Sequence, residues 1–416
     1  MHGQPPAEQG IYRPSAEWAA EPVSKSSIQQ NELASELENT FIRTTLRLAR
    51  RGYGLTSPNP MVGAVLVKKG KIIGQGWHRR AGGPHAEIEA LSDAEKKGHS
   101  PSGATLYVTL EPCSTHGRTP PCTDAIVAAG VKRVVVGATD PNPAHAGRAF
   151  SILQRAGVAV THGVHASDCA RLNEAFNHWI VNRTPFVTVK AAMTLDGKIA
   201  TADGESKWIT GEKARDYGMK LRKGADAILV GINTVLADDP SLIFRARNTE
   251  RGTRADGKLR RRIILDAKAR TPLTAKVVTD EHATATTIVV TEYAPRNRVA
   301  ALAKRANVVV ASPAKSKIEN RKSKIDLRWL LERLGAENVT SLLVESGGEV
   351  NASFLLGGLA HRVAFFYAPK VLGGRDARKA VAGEGVRRLE EIVQLRDVKW
   401  RRLGPDLLLT ARVDAP

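Results

Sequence analysis

Strand-like and helix-like segments alternate along this chain of 416 residues, in two series separated by a break at residues 182–185. In the first series, β-branched runs such as ATLYVTLEP and KRVVVGATD are followed by helix-like stretches such as PCTDAIVAAG and RAFSILQRAG. Such alternation is typical of layered α/β domains. Because 416 residues also exceed the usual size of one domain, we expect two α/β domains, at residues 39–183 and 184–416.

The N-terminal segment does not share this alternation. Residues 1–38 are polar, contain proline and show no hydrophobic period, which predicts a flexible extension. In TFIRTTLRLARRG the apolar residues indicate a helix, with Asn39 or Thr40 as its N-cap. Two β-branched runs around Lys69 and Gly70 then predict a hairpin.

The formal net charge of +20 favours an anionic partner, such as nucleic acid, a membrane surface or a phosphorylated small molecule. Two polar runs hold part of this charge: residues 247–262 carry seven basic against two acidic residues, and residues 315–326 carry five against two. Solvated insertions therefore explain some of the excess without any ligand. No stretch reaches the roughly 18 apolar residues that a membrane span requires, and the N-terminus lacks a signal-peptide pattern.

Three cysteines are too few for a disulfide framework in a chain of this length. An odd number of cysteines, two of them close to a histidine, indicates thiol or metal chemistry in a reducing compartment. We therefore expect a cytoplasmic protein that does not bind membranes. Cys169 has no partner motif and is interpreted as a buried or idle thiol.

His85, Cys113 and Cys122 form the most informative cluster of the sequence. Zinc in proteins is bound by imidazole and thiolate ligands, and a catalytic zinc site uses three of them so that a fourth position can hold water. Glu87 lies too close to His85 in sequence to bind the same ion easily, but it can move the proton of a bound water. A histidine, two cysteines and a non-ligating glutamate are the signature of zinc-dependent base deaminases.

The residues beside these ligands support the interpretation. Pro84 and Pro121 predict helices that begin near His85 and Cys122, where the helix dipole favours a thiolate. A closed structural zinc site would instead need a fourth ligand, such as His78 or His116. The sequence also departs from the common signature, because eight residues, STHGRTPP, separate the cysteines where two are usual.

In order along the chain, NPMVGAVLV, GWHRRAGGPHAEIEAL, LEPCSTHGRTPPCTDAIVAAGVKRVVVGATDPNP and AGRAFSILQRAGV resemble the deaminase half of the bifunctional riboflavin-biosynthesis deaminase/reductase family. The lengthened loop between the cysteines is itself a feature of that family. VKAAMTLDGKIA, GESKWIT, VGINTVLADDPSL and LVESGGEVNASFL resemble its reductase half. The resemblance covers about residues 39–416.

For the first domain the resemblance implies a cytidine-deaminase-like fold that hydrolyses the exocyclic amine of 2,5-diamino-6-ribosylamino-4(3H)-pyrimidinone 5′-phosphate. His85, Cys113 and Cys122 would bind zinc, Glu87 would be the general acid/base, and Asn59 would contact the pyrimidine. His78 and the HGRTPP loop are candidates for the ribose phosphate. Where the family commonly has histidine after PCS, this chain has Thr115 and then His116. Without the resemblance, Asn59 before a proline could be a turn residue.

For the second domain the resemblance implies a dihydrofolate-reductase-like fold that uses NADPH to reduce the ribosyl group to a ribityl chain. The sequence has no G-x-G-x-x-G, so it does not indicate a Rossmann site. By the family pattern, the residues that would contact NADPH are Ala192, Trp208, Thr234, Asp238, Gly347, Gly348, Glu349, Val350, Asn351, Ala352 and Ser353. The residues that would contact the substrate are Lys190, Ser206, Arg222, Leu242, Arg245 and Glu345. Taken alone, the arginines would be interpreted as surface charges and the glycine pair as a turn.

Two other functions fit parts of the sequence. A zinc-dependent nucleic-acid base deaminase with an appended domain would explain the zinc cluster and the basic charge. It would not explain the reductase-like motifs, and an aromatic content of 5% offers few side chains for stacking bases. A degenerate enzyme acting as a binding protein is opposed by the intact zinc cluster. We therefore expect a homo-oligomeric enzyme with zinc and NADPH as cofactors and a phosphorylated pyrimidine, not nucleic acid, as partner.

Overall fold

The structure is a computed structural model that describes residues 25–116, 120–244, 258–311 and 325–414. Its helices are α1 Lys25–Ala49, α2 Ala86–Lys96, α3 Cys122–Ala128, α4 Arg148–Arg155, α5 Ala166–Leu172, α6 Glu174–Asn182, α7 Glu212–Gly224, α8 Ile232–Asp238, α9 Lys276–Thr279, α10 Arg296–Ala303, α11 Leu327–Ala336 and α12 Gly348–Leu355. Its strands are β1 Gly63–Lys68, β2 Lys71–Trp77, β3 Thr105–Leu110, β4 Arg133–Ala138, β5 Ala159–His162, β6 Phe186–Thr194, β7 Lys198–Ala200, β8 Ala227–Gly231, β9 Arg261–Leu265, β10 Thr286–Val290, β11 Asn307–Val310, β12 Ser341–Val344, β13 Arg362–Ala368, β14 Arg378–Lys379, β15 Leu395–Leu403 and β16 Asp406–Val413.

The first domain is built on a five-stranded sheet with the order β2-β1-β3-β4-β5. The β1–β2 and β1–β3 pairs are antiparallel, and the β3–β4 and β4–β5 pairs are parallel. Alternate residues of the strands point to opposite faces, so Leu66 packs with α2, α3 and α4 while Val65 and Val67 pack with α1. Cys169 is buried in this second core, as expected for a structural thiol.

Two details of this domain differ from the sequence-based expectation. Helix α1 begins at Lys25, so residues 25–38 of the predicted flexible extension are helical, and the predicted cap at Asn39 or Thr40 was wrong. Residues 1–24 lie outside the described residues. Thr40 lies inside the helix, where its hydroxyl donates to the carbonyl of Glu36 at 2.9 Å. The segment lacks a hydrophobic period but is rich in residues with adequate helix propensity, and a helix already docked on the sheet can extend through them.

The segment CARLNEAFNHWIVN, predicted as one helix, forms α5 and α6 with a break at Asn173. The side chain of Asn173 accepts from the backbone N–H of Met61 and donates to the carbonyl of Met61, both at 2.8 Å. Asparagine readily leaves the helical conformation to make such bonds. The hairpin was predicted correctly: Lys69 and Gly70 connect β1 and β2 with φ values of 50° and 71°.

The second domain contains a nine-stranded sheet with the order β11-β10-β9-β8-β12-β6-β13-β16-β15. Its strands are parallel from β11 to β13, and β16 and β15 add antiparallel pairs at one edge. The central strand β8 is buried along its whole length, as expected for a parallel sheet covered on both faces. The parallel order places the carboxyl ends of β6, β8 and β12 side by side.

The two domains are in direct contact through α6. The indole N–H of Trp179 donates to the carbonyl of Gly335 at 2.9 Å. The carboxylate of Glu174 is paired with the guanidinium groups of Arg362 and Arg412. Among the described residues no helix combines the length and the apolar character needed to cross a membrane.

At this contact the rings of His178 and His361 lie 4.1 Å apart. Burial and the neighbouring His178 lower the pKa of His361 to about 4, and burial lowers the pKa of His178. The unfolded chain therefore binds more protons than the folded chain as the pH falls below about 6.5. The contribution of the neutral His361 to stability is fully present above that pH and is lost as the pH falls towards 4.

We expect the free energy of unfolding to fall by roughly 1 to 2 kcal/mol between pH 7.5 and pH 5 because of His361. Denaturant unfolding at both pH values measures it, and His361→Leu should weaken the pH dependence even if it lowers stability at pH 7.5. The exposed His99 supplies the control, since His99→Gln should keep the dependence of the parent protein. Equal pH dependence in all three proteins would contradict this expectation.

Candidate active sites

The predicted zinc ligands converge at the starts of α2 and α3. His85 is the residue before α2, and Cys122 is the first residue of α3. The Nδ1 atom of His85 lies 3.4 Å from Sγ of Cys113 and 3.3 Å from Sγ of Cys122. The three donor atoms lie within 4.8 Å of one another, and in the described ranges no fourth His, Cys, Asp or Glu completes the group. An imidazole and two thiols in this arrangement fit zinc and leave one coordination position open.

The environment of the thiols favours a bound cation. Hydrogen bonds from the Cys122 side chain and from His85 lower the pKa of Cys113, and the backbone N–H of Cys122 donates to the Cys113 sulfur at 3.2 Å. The bond to Cys113 and burial raise the pKa of Cys122. The metal-free pair thus shares one proton, which a metal ion would displace.

Glu87 lies in the first turn of α2 and is 3% exposed. Burial raises the pKa of its carboxyl group to about 7, even though His85 lowers it. A carboxyl group with a pKa near neutrality can both accept and release a proton at the pH of the cell. The structure therefore brings the predicted acid/base next to the predicted ligands.

Asn59 and His78 lie beside this group. The amide of Asn59 donates to Nε2 of His78 at 3.2 Å, and Nδ1 of His78 donates to the carbonyl of Pro84 at 2.9 Å. Both nitrogens of His78 are thus engaged, and burial lowers its pKa. His78 is therefore a neutral support for Asn59 and not the fourth metal ligand considered above. His116 is exposed, and residues 117–119 of the predicted phosphate loop lie outside the described residues.

The sequence-based interpretation missed Glu111, which is buried two residues before Cys113. Its carboxylate accepts from the backbone N–H groups of Asp140 at 3.1 Å, Gly147 at 3.0 Å and Ala149 at 3.0 Å. It thereby fixes the strand end that carries Cys113 against the loop before α4. An acidic residue at the end of a buried strand, in LEPC, was the available signal.

In the second domain the predicted substrate residues Arg222 and Glu345 bind each other. Nε of Arg222 lies 3.1 Å from Oε1 of Glu345, and Nη2 lies 2.7 Å from Oε2. Burial alone would raise the pKa of Glu345, but Arg222 and Lys190 lower it to about 2. Arg222 was expected to contact the substrate, whereas in the structure its guanidinium group binds the carboxylate of Glu345. The three charged side chains lie together and are partly buried, with Arg222 on α7, Lys190 on β6 and Glu345 directly after β12.

The predicted NADPH segment begins where β12 leads into α12. A Cβ atom at Gly347 would meet nothing within 4 Å, while one at Gly348 would lie 2.3 Å from the carbonyl of Lys379. The backbone at Gly347, the N-cap of α12, therefore borders open space, and the start of a helix is suited to a phosphate such as that of NADPH. Asn351 and Ala352 are buried within the protein, so their side chains do not face that space.

The other predicted NADPH contacts lie around the start of α7 and on α8. Trp208 is 67% exposed, but the guanidinium group of Arg215 lies over its ring, 4.6 Å from the centroid, so only the other face is open to a planar ligand. Asp238 at the end of α8 accepts from the hydroxyl of Ser206 at 3.2 Å and lies 3.4 Å from Nζ of Lys207. Thr234 lies on α8, and Ala192 lies on β6 two residues beyond Lys190. The segment that includes Ser206 and Trp208 is thus joined to α8 by these two contacts.

For two of the predicted substrate residues, Leu242 and Arg245, the part of the chain that the structure describes shows no side chain that faces the site. The side chain of Leu242 is 2% exposed and packs in the core with residues of β8 and β9, so only its backbone is available to a ligand. Its φ of 51° marks a turn that sequence patterns did not reveal. Arg245 lies outside the described residues, as do residues 247–257 and 315–324 of the two basic runs.

Two family models match the chain. The model described as "Cytidine and deoxycytidylate deaminase zinc-binding region" matches residues 35–138, and the model described as "RibD C-terminal domain" matches residues 185–409. The riboflavin biosynthesis protein RibD of Actinobacillus pleuropneumoniae is 39% identical over 389 residues, which are 94% of this chain and 99% of that protein.

Solved structures are similar over the same length. A structure of Acinetobacter baumannii RibD shares 34% identity with a TM-score of 0.78 and covers 91% of this chain and 99% of that one. The diaminohydroxyphosphoribosylaminopyrimidine deaminase/5-amino-6-(5-phosphoribosylamino)uracil reductase of Thermotoga maritima shares 33% identity with a TM-score of 0.74 and covers 92% and 100%. The similarity therefore extends over both domains and both sites.

Proposed function

This chain belongs to the family of the riboflavin biosynthesis protein RibD, and on that premise we propose which substrate it uses and which residues perform each reaction. It is a bifunctional enzyme, a zinc-dependent deaminase joined to an NADPH-dependent pyrimidine reductase. The first reaction is the hydrolytic deamination of 2,5-diamino-6-ribosylamino-4(3H)-pyrimidinone 5′-phosphate. The second is the reduction of its ribosyl group to a ribityl chain.

In the deaminase domain, His85, Cys113 and Cys122 would hold the zinc, which would supply Lewis-acid activation of water. Glu87 takes the proton of the attacking water and delivers it to the departing amine, since its raised pKa allows both transfers near neutrality. Asn59 binds an edge of the pyrimidine and is oriented by His78. The observation that carries this assignment is a buried glutamate next to three converging zinc donors.

In the reductase domain, NADPH supplies the hydride. Gly347, at the start of α12, would hold its phosphate, and Trp208, Thr234 and Asp238 would contact the rest of the cofactor. Lys190 and Glu345 face the ribose, where the ammonium group of Lys190 can donate a proton to the opening ring. Arg222 holds Glu345 ionised and in place through two hydrogen bonds. Ser206, Arg245 and the backbone of Leu242 complete the proposed substrate contacts.

The proposed partner is the small phosphorylated pyrimidine alone, without nucleic acid. The long loop between the zinc cysteines and the attached reductase domain support it. The homo-oligomeric state and the cytoplasmic location stay predictions from the sequence.

The order of the two reactions gives a direct test. We expect the protein to release ammonia from the diaminopyrimidinone phosphate without NADPH, because the zinc donors and Glu87 need no second cofactor. NADPH, followed at 340 nm, should be oxidised only after ammonia has appeared. Oxidation of NADPH before any ammonia is released would contradict the proposed order, and addition of the deaminated compound should remove the lag.

A further inference from the structure

Asp226, at the start of β8, is a buried carboxylate that joins the two domains. Its Oδ2 atom accepts from the backbone N–H of Thr340 at 2.9 Å, from the hydroxyl of Thr340 at 2.7 Å and from the N–H of Ser341 at 3.2 Å. Its Oδ1 atom is paired with Nζ of Lys258 at 2.5 Å. The remaining bond to Oδ2, at 2.7 Å, comes from the hydroxyl of Ser57 in the deaminase domain.

Ser57 belongs to the loop that carries Asn59 to the deaminase site. Within this loop the N–H of Asn59 donates to the carbonyl of Thr56 at 2.8 Å. Beyond it, Met61 is held at its N–H and carbonyl by Asn173. Asn59 is therefore positioned between an anchor on Asn173 and an anchor on Asp226, and the second anchor belongs to the other domain.

Packing alone does not fix this loop. Ser57, Asn59 and Met61 line a cavity of about 880 Å³ between the domains, so one side of the loop has no packed neighbours. Where packing is absent, individual hydrogen bonds determine the position of a loop. A hydrogen bond to a charged and buried carboxylate is among the stronger ones.

We propose that Asp226 is a positioning residue for the deaminase reaction, because it holds the Asn59 loop through Ser57 in the place that receives the pyrimidine. The affinity of the first domain for its substrate is then set in part by a residue of the second. This inference rests on the proposed role of Asn59 as a substrate contact. It assigns no chemical step to Asp226.

The cleanest test removes only the hydroxyl group of Ser57, which bonds Asp226 at 2.7 Å and lies 3.2 Å from the hydroxyl group of Thr340. Ser57→Ala leaves all other partners of Asp226 in place and should raise the KM for ammonia release about tenfold, with kcat changed less than about twofold. Ser57→Thr keeps the hydroxyl group and should restore the KM. In Ser57→Ala the amides of Asn59 and Met61 should exchange hydrogen faster than in the parent protein, while zinc content and the reductase KM for NADPH stay the same.

A second test substitutes Asp226 itself and uses another buried aspartate, Asp266, as the control. Asp266, after β9, is also buried, and its Oδ2 atom accepts from the N–H and the hydroxyl of Thr271, both at 2.7 Å, within the reductase domain. Asp226→Asn should raise the deaminase KM, whereas Asp266→Asn should leave it unchanged. An equal rise in both variants would reduce Asp226 to a general stability residue and overturn the inference.

An unchanged KM in Ser57→Ala, or no rescue by Ser57→Thr, would also overturn it. The proposed function fails in a different way: the parent protein itself would then release no ammonia from the diaminopyrimidinone phosphate.

Discussion

Glu87→Gln is expected to lower the rate of deamination by a factor of about 10² to 10⁴, because the amide cannot take or deliver the proton. Glutamine fits the same buried space and cannot replace a general acid/base. Zinc content should stay at the level of the parent protein, since the converging donors are His85, Cys113 and Cys122. Ammonia release and metal analysis on the same preparation measure both quantities.

Glu89 provides the matched control. It lies two residues further along α2 and forms an ion pair of 3.2 Å with Arg79 near the surface. Glu89→Gln should keep nearly full deaminase activity, and Glu87→Gln should still reduce the deaminated substrate with NADPH. Substantial deamination by Glu87→Gln, or loss of its zinc, would show that Glu87 does not have the assigned role.

Arg222→Ala is expected to destabilise the reductase domain by about 3–5 kcal/mol, because it leaves the carboxylate of Glu345 buried without its partner. The bidentate pair is buried, with side-chain exposures of 16% and 8%. In the parent protein Arg222 and Lys190 lower the pKa of Glu345 to about 2, so its carboxylate is ionised at any usual assay pH. Reduction should fall sharply, whereas kcat for deamination should be unchanged under conditions in which the variant is folded.

A double variant separates stability from function. Arg222→Met with Glu345→Leu removes both charges and should recover most of the lost free energy of unfolding, since apolar side chains often replace a buried ion pair without loss. It should not recover reduction, because Glu345 is one of the proposed contacts of the ribose. Denaturant unfolding and NADPH oxidation measure the two effects. Equal stability of Arg222→Ala and the parent protein would contradict the argument.

Much of the deaminase site could be predicted because its chemistry depends on few residue types at fixed places. Histidine and cysteine near proline-started helices define both the ligands and their positions, so the structure confirms the proximity of His85, Cys113 and Cys122. Less of the reductase site could be predicted from the sequence, since its residues are of common types that occur in many roles. Leu242 shows the difference: motif matching predicted a substrate contact, whereas its side chain is buried in the core.

The sequence by itself determined the two α/β domains and the family, and it predicted the zinc donors and the acid/base Glu87, because periodicity, motifs and local spacing carry that information. Only the tertiary structure decided that Arg222 binds Glu345 and that Ser57 binds Asp226 across the domain contact. Those partners are separated by 123 and 169 residues. No local pattern specifies such pairs, since burial and the docking of two domains bring them together.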